Sequence, residues 1–475
     1  MTAGEARTYP RDMVGYGREP PRAQWPDSAR VAVQFVVNYE EGGENNILHG
    51  DKASEAFLSE IVGAAPWPGQ RHMNMESIYE YGSRAGFWRL WRIFRERGVK
   101  VTVFGVASAM ARNPEAIAAM LEADWEIASH GLKWIDYKDA TAEEERGHIE
   151  EAIAVHRRLT GSRPLGFYQG RSSIHTIPLA MEEQGFLYLA DSYADDLPYW
   201  LDGPHGAQLV VPYTLDANDM RFATPQGFNS GDQFFAYLKD ALDHLHQEGG
   251  ERPKMMSVGL HCRLAGRPGR AAALARFIDY ALAKGEVWMA RRIDIARHWV
   301  ARHPPAGGYR PSRMPRALFV EAFGSVYEHS PEIAEAAQRA GLTADEDSPE
   351  GLARAMSRAV RALPREAQLA LLSAHPDLAG GLALAGGLTA DSAQEQTSAG
   401  LDQLSPHELA AITRMNEAYK ARFGFPFILA VKDRSKEEVI AALRARLGAD
   451  AQAEFETALG EVERIARARI EDRLR

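Results

Sequence analysis

From Ala29 onward, short runs of consecutive apolar residues alternate with longer stretches in which apolar positions recur every three or four residues. The runs at 31–37, 99–106, 125–129, 187–190, 208–211, 255–260 and 287–290 are mostly apolar with few polar residues between, the pattern of strands covered on both faces. Between them the spacing predicts helices over 83–97, 114–123, 142–159, 232–247 and 270–284. Strands and helices in alternation predict a parallel α/β domain, barrel-like, with its chemistry at the C-terminal ends of the strands. Near residue 305 the pattern changes. The β-branched runs fade, Ala, Leu, Glu and Arg dominate, and helices are predicted over 352–363, 364–373, 406–423, 436–447 and 450–474, an all-α bundle. The segment from His303 to Ser312 holds two glycines and three prolines. Residues 306–313 are therefore expected to link a first domain, 1–305, to a second, 314–475. The Ala/Gly-rich 379–390 reads as a loop between helices.

The predicted strands run into polar residues. The first ends in Asn38-Tyr39-Glu40-Glu41, the third in His130-Gly131-Leu132-Lys133-Trp134, Asp191 follows the fourth, and His261 ends 255–260. Arg171 stands in Gly166-Phe167-Tyr168-Gln169-Gly170-Arg171-Ser172, ahead of a helix. Each one singly is a plausible surface loop residue, but a barrel would aim all of them into one mouth.

In the second half, Pro376 keeps the residue before it out of the α region, so His375 should end the helix 364–373. Glu395 falls in a fresh helix that Asp391 or Ser392 would cap. The two residues suit an acid/base pair, or equally a capping histidine and a solvated glutamate.

Composition narrows the function. Hydrophobic residues make up 45% and charged ones 25%, as in ordinary globular proteins, and the net charge of −10 argues against nucleic-acid and membrane partners. No apolar run is long enough for a membrane helix, and residues 1–16 read as a polar leader. The one cysteine, Cys262, excludes an internal disulfide and suits a reducing, cytoplasmic location.

Four ordered blocks after residue 314 resemble 2-oxo-4-hydroxy-4-carboxy-5-ureidoimidazoline (OHCU) decarboxylase, the family that closes urate oxidation by making (S)-allantoin. They are Phe323-Gly324-Ser325-Val326-Tyr327-Glu328-His329-Ser330-Pro331, His375-Pro376-Asp377-Leu378-Ala379-Gly380, the stretch from Glu395 to Asp402, and Asn416-Glu417-Ala418-Tyr419 running into Phe423-Gly424-Phe425-Pro426-Phe427-Ile428. The resemblance implies His375 as acid/base, Glu395 orienting the imidazole or the substrate hydroxyl, and Arg469 (rather than Arg467) as the cation for the substrate's charge. It implies substrate contacts from Pro376, from Ser392, Ala393, Gln394 and Gln396, and from Phe427, Ile428, Leu429, Ala430 and Val431, whose backbone groups would pair with the ring amides. Two departures stand out: Glu332 replaces a usual tryptophan, and an Arg-Pro-Phe segment is absent from 337–348.

Residues 9–303 resemble the polysaccharide-deacetylase superfamily, and more closely its allantoinase branch. Asn38-Tyr39-Glu40-Glu41 stands where the deacetylases carry Thr-Phe-Asp-Asp, Val258-Gly259-Leu260-His261 matches the last motif, and His130 keeps the first metal histidine while Trp134 replaces the second. With that ligand lost, neither metal nor other cofactor is expected. The resemblance implies Glu40 as general base, with Glu41 beside it to raise its pKa by repulsion. His130 or His261 would then stabilise the oxyanion or protonate the leaving nitrogen, while Trp134, Arg171 and Asp191 would hold a flat, amide-rich ring. Which glutamate acts stays open. The whole implies a bifunctional, homo-oligomeric enzyme acting on OHCU and allantoin. The alternatives are one catalytically silent half serving binding or assembly, or a metal-dependent carbohydrate deacetylase in the barrel.

Overall fold

The computed structural model describes residues 9–61, 63–225, 227–379, 390–401, 403–432 and 434–474, leaving aside the side chains of 390, 394 and 398. The chain divides into two compact units, Met1–Pro304 and Pro305–Arg475.

The first unit is an open, distorted barrel of the deacetylase type built on one nine-stranded sheet. Its strands are β1 (Val31–Tyr39), β2 (Thr102–Gly105), β3 (Glu126–Ser129), β4 (Gly166–Phe167), β5 (Tyr188–Leu189), β6 (Tyr199–Gly203), β7 (Gly206–Val210), β8 (Lys254–His261) and β9 (Val287–Met289). They run in the order β6-β7-β5-β4-β3-β2-β1-β8, with β9 paired to the start of β1. All pairings are parallel except the β6–β7 hairpin. Between β7 and β8 the described residues show no ladder, only a bridge from Asn218 to Gly259.

All nine residues of β1 are buried, which explains why apolar residues fill it but for Gln34 and Asn38, and buried Gln34 Oε1 accepts from Arg292 Nη1 at 2.7 Å. Its register sets the site. Tyr39 pairs with Gly105, Gly105 with Ser129 and Ser129 with Phe167, while Asn38 pairs with His261. The residues just past these strands, Glu40, His130 and Tyr168, therefore emerge at one level beside His261.

Helices Met73–Tyr81 and Phe87–Glu96 are joined by a π-helical turn, Gly82–Gly86. Both glycines are forced by close approach. A Cβ on Gly82 would stand 2.4 Å from Glu41 Oε1, and one on Gly86 would stand 2.0 Å from the Cys262 carbonyl oxygen. The π-turn lets this helix close directly over the strand ends.

The sequence pattern misses β4 and β6. Two and five residues long, neither carries enough apolar residues to make a run. The predicted strand 208–211 is one arm of the antiparallel hairpin, so the sheet is not purely parallel.

The second unit is helical. It contains helices Arg316–Phe323, Pro331–Arg339, Pro349–Arg361, Arg365–Ser373, Ala390–Ser398, Pro406–Phe423, Lys436–Arg446 and Ala451–Leu474. Pro406–Phe423 and Lys436–Arg446 open with Ser capping boxes, Ser405 with Glu408 and Ser435 with Glu438. Glu332 is exposed in the first turn of its helix. Residues 380–389 of the predicted loop lie outside the described residues. No helix among the described residues is long and apolar enough to cross a membrane.

Candidate active sites

At the barrel mouth, Glu40, His130, Trp134, Arg171 and His261 line a cavity of about 180 Å³ together with Tyr168, Tyr213 and Asn218. Glu40 is 1% exposed, and its Oε1 lies 3.4 Å from Nε2 of both His130 and His261. His261 Nδ1 donates to Asp219 Oδ1 at 2.6 Å. The second Asp219 oxygen accepts the backbone N–H of His261 and of Ala265. One buried carboxylate thus fixes the tautomer and orientation of the imidazole, leaving Nε2 toward the cavity.

Arg263, wholly buried, brings Nη1 to 2.8 Å from Glu40 Oε2 and 3.4 Å from Glu41 Oε1. Glu41 does not line the cavity. Its Oε1 accepts the Arg263 backbone N–H, and its Oε2 accepts that of Glu40. Asp191 is likewise behind the cavity wall, contrary to its expected role at the ring. Its oxygens accept the backbone N–H groups of Gln169 and Gly170 and the Ser172 hydroxyl, which shapes the loop that carries Arg171. Arg171 pairs with Glu55 at 3.3 Å and lies over the Trp134 ring, 3.8 Å from its centroid.

The electrostatics reverse one expectation. Burial pushes the Glu40 carboxyl up, but Arg263, His261 and His130 outweigh it and hold the group well below the usual carboxylate range. Glu41 is the one raised, by burial first and by Glu40 second, despite Arg263. Like-charge repulsion therefore acts on Glu41, and Glu40 stays ionised because its contacts are cationic. His261 is pulled down by burial, yet Glu40 and Asp219 overcome this and lift it to about 9.

The donor set must also be weighed against the metal of the deacetylase fold. Arg263 already sets a cation against both carboxylates, and an indole fills the second histidine's place. No group of three or more His, Cys, Asp or Glu side chains among the described residues is arranged to hold a metal. The residues present do not fit a metal ion.

In the helical unit His375 follows the helix Arg365–Ser373 and is buried, with Nδ1 3.0 Å from the Leu371 carbonyl. That carbonyl can only accept, so Nδ1 carries the hydrogen and Nε2 is an acceptor. Burial pulls this imidazole below its ordinary value, the Leu371 bond and Glu328 opposing. The ring is therefore neutral near pH 7, the base form of the expected acid/base residue.

Arg469 is 5% exposed and sits at the centre of a network. Its Nε and Nη2 donate to the two oxygens of Glu395 at 2.8 and 2.9 Å, Nη1 to Glu328 at 2.8 Å, and Nη2 to Ser392 Oγ at 3.1 Å. Glu395 is thus clamped by the arginine, while the His375 ring is oriented by Leu371. Arg467 pairs with Glu471 and Glu350 on an exposed face. Ser392 lies within its helix rather than at the cap, and donates to Glu328 at 3.1 Å.

His375, Pro376, Ser392, Glu395, Gln396, Phe427, Ile428, Leu429, Val431 and Arg469 line a cavity of about 30 Å³. Ala393 is exposed and outside this lining; half-buried Ala430 is also outside it, and its N–H donates to Glu461 at 2.9 Å. The Ile428 carbonyl accepts from Arg446, so two of the backbone groups expected at the ring are already engaged. The side chain of Gln394 lies outside the described residues.

Three functional candidates were missed from sequence: Arg263, Asp219 and Glu328. Arg263 is two residues past a motif histidine and Glu328 lies inside a matched block, so both carried a signal; Asp219, 42 residues from His261, carried none.

The comparisons agree with this division. The polysaccharide deacetylase family matches residues 74–184 and the OHCU decarboxylase family residues 312–471. A protein of Schizosaccharomyces pombe described as a putative polysaccharide deacetylase is 41% identical, over 62% of this chain and 98% of its own length. The OHCU decarboxylase of Haloferax volcanii is 44% identical, over 34% of this chain and 92% of its own. The crystal structure titled Puue allantoinase is 59% identical, covers 62% of this chain and 98% of its own, and superposes with a TM-score of 0.62. The chain belongs to two families at once, its first unit to the polysaccharide deacetylases and its second to the OHCU decarboxylases.

Proposed function

We propose that the chain is a bifunctional enzyme of urate degradation: the helical unit decarboxylates OHCU to (S)-allantoin, and the barrel hydrolyses allantoin to allantoate. The observation that carries this reading is the pairing on one chain of a decarboxylase-family unit with a barrel 59% identical to an allantoinase, so that the product of one site is the substrate of the other.

In the barrel, water adds to a ring carbonyl carbon and the amide C–N bond breaks. Glu40, ionised and facing the cavity, accepts the proton of the attacking water. His261, charged at neutral pH, presents Nε2–H to the oxyanion or to the departing nitrogen. In the helical unit, neutral His375 first takes the substrate hydroxyl proton through Nε2. Loss of CO₂ leaves an electron-rich carbon, and the imidazolium then returns a proton to one face of it. Arg469, held by Glu395 and Glu328, fixes the charged substrate.

Separately expressed 1–305 and 314–475 are expected to fold and to turn over allantoin and freshly generated OHCU respectively. A folded half that leaves its substrate untouched removes that activity from the reading. Allantoin turnover is also expected to survive exhaustive dialysis against EDTA; its loss, with recovery on adding Zn²⁺ or Mn²⁺, would overturn the metal-free mechanism.

A further inference from the structure

Glu40, Glu41, His130 and His261 are all buried and gathered at the ends of three strands, and in donor chemistry such a set suits a divalent cation. A side chain of the protein already supplies the positive charge there. Nη1 of Arg263 lies 2.8 Å from Glu40 and 3.4 Å from Glu41, and its Nε donates to the Leu58 carbonyl at 2.9 Å. The guanidinium lies over the rings of Tyr79 and Trp134, 4.3 and 5.0 Å from their centroids.

We propose that Arg263 is a built-in substitute for a divalent cation, a positioning residue whose permanent charge holds the two glutamates together and keeps metal out of the site. Trp134 is part of the same device. Its ring forms a wall for the guanidinium of Arg263 and another for that of Arg171, 3.8 Å from the centroid, and it brings no metal donor. The substitution changes what the site can do. A guanidinium has no vacant coordination position and carries no water, so it cannot acidify one, and the proton must pass to a side chain. Removing it would leave Glu40 and Glu41 with the His261 imidazolium as the one cation against them, itself shared with Asp219, an arrangement that an added cation should relieve.

The test uses the full chain and Co²⁺, whose visible absorption reports nitrogen and oxygen ligands. Wild type, dialysed against Co²⁺ and then against buffer, is expected to retain none at this site. Arg263→Ala is expected to take up about one ion per chain, with a cobalt spectrum that disappears when Glu40→Gln is added. The activity arm rests on the hydrolase reading: hydrolysis of allantoin by Arg263→Ala should fall, then rise at least about tenfold with millimolar guanidinium but not with equal NaCl. If Arg263→Ala is unfolded without cations, recovery of its far-ultraviolet circular dichroism with Co²⁺ or guanidinium supports the proposal equally. Stoichiometric Co²⁺ on wild type that Glu40→Gln abolishes would overturn it, as would an Arg263→Ala that neither Co²⁺ nor guanidinium affects. Metal exclusion as expected with no allantoin turnover in wild type would remove the hydrolase reading and leave this one standing.

Discussion

Glu40→Gln is expected to lower allantoin hydrolysis by about 10²-fold or more, the scale of losing a general base, and to leave decarboxylation at the wild-type rate. The amide has the size and reach of the carboxylate but cannot take a proton. Glu40 is the sharper target of the two adjacent glutamates because it lines the cavity, whereas Glu41 is turned toward backbone N–H groups and Gly82 of the π-turn. The substitution should also move the alkaline limb of the pH profile. Burial works against a charged His261, and Glu40 with Asp219 lifts it to about 9. The charged form is thus favoured in the folded chain. Its stabilisation is complete below the ordinary histidine value and is lost as pH rises through about 9. Wild-type hydrolysis should decline over that range. In Glu40→Gln the residual activity should decline at lower pH, since one of the two carboxylates raising His261 is gone. The measurement is kcat against pH, followed by allantoin consumption. Residual hydrolysis within a factor of a few of wild type would transfer the proton-accepting role to His130, whose Nε2 faces the same oxygen.

His375→Asn should abolish the handedness of the decarboxylase product as well as its rate. OHCU loses CO₂ slowly without help and gives racemic allantoin, so the enzyme's contribution is one-sided protonation together with acceleration. The imidazole is well placed for this. Nδ1 is tied to Leu371, Pro376 follows directly, and Nε2 is left as the single exchanging nitrogen. Asparagine keeps a polar group but can neither take nor return a proton near pH 7. Circular dichroism followed through time after urate oxidation should show little or no (S)-allantoin signal with this variant, while its barrel still hydrolyses added (S)-allantoin. An (S)-allantoin signal building at the wild-type rate would remove His375 from the proton transfers and make Glu395 the next residue to replace. Because burial pulls His375 downward and keeps it neutral, its first act should be to accept a proton. The decarboxylation rate is therefore expected to fall as pH is lowered far enough to protonate it.

What the sequence by itself determined is what local spacing can carry. The apolar residues on both sides of Gln34 in β1 mark a strand covered on both faces, and the change of pattern near 305 marks a passage from strands to helices. The residues directly after strands, Glu40, His130 and His261, could be read as a cluster because parallel register brings strand ends to one level. Pro376 likewise signalled where the helix before His375 had to stop. Tertiary structure decided the rest, and the reason is that charge and hydrogen bonding depend on neighbours distant in sequence. Two adjacent glutamates look symmetrical along the chain. Only the arrival of Arg263 from just past β8 and the close approach of Gly82 make one an ionised cavity wall and the other a raised, inward carboxyl. Asp219 reaches His261 across 42 residues, and Glu328 meets Arg469 across 141, separations that no periodicity records. Asp191 and Ala430, plausible substrate contacts by position, are instead held by the loops and helices around them. Side-chain chemistry could be read from the sequence; which partner each group meets, and so its charge, was fixed by burial and long-range register.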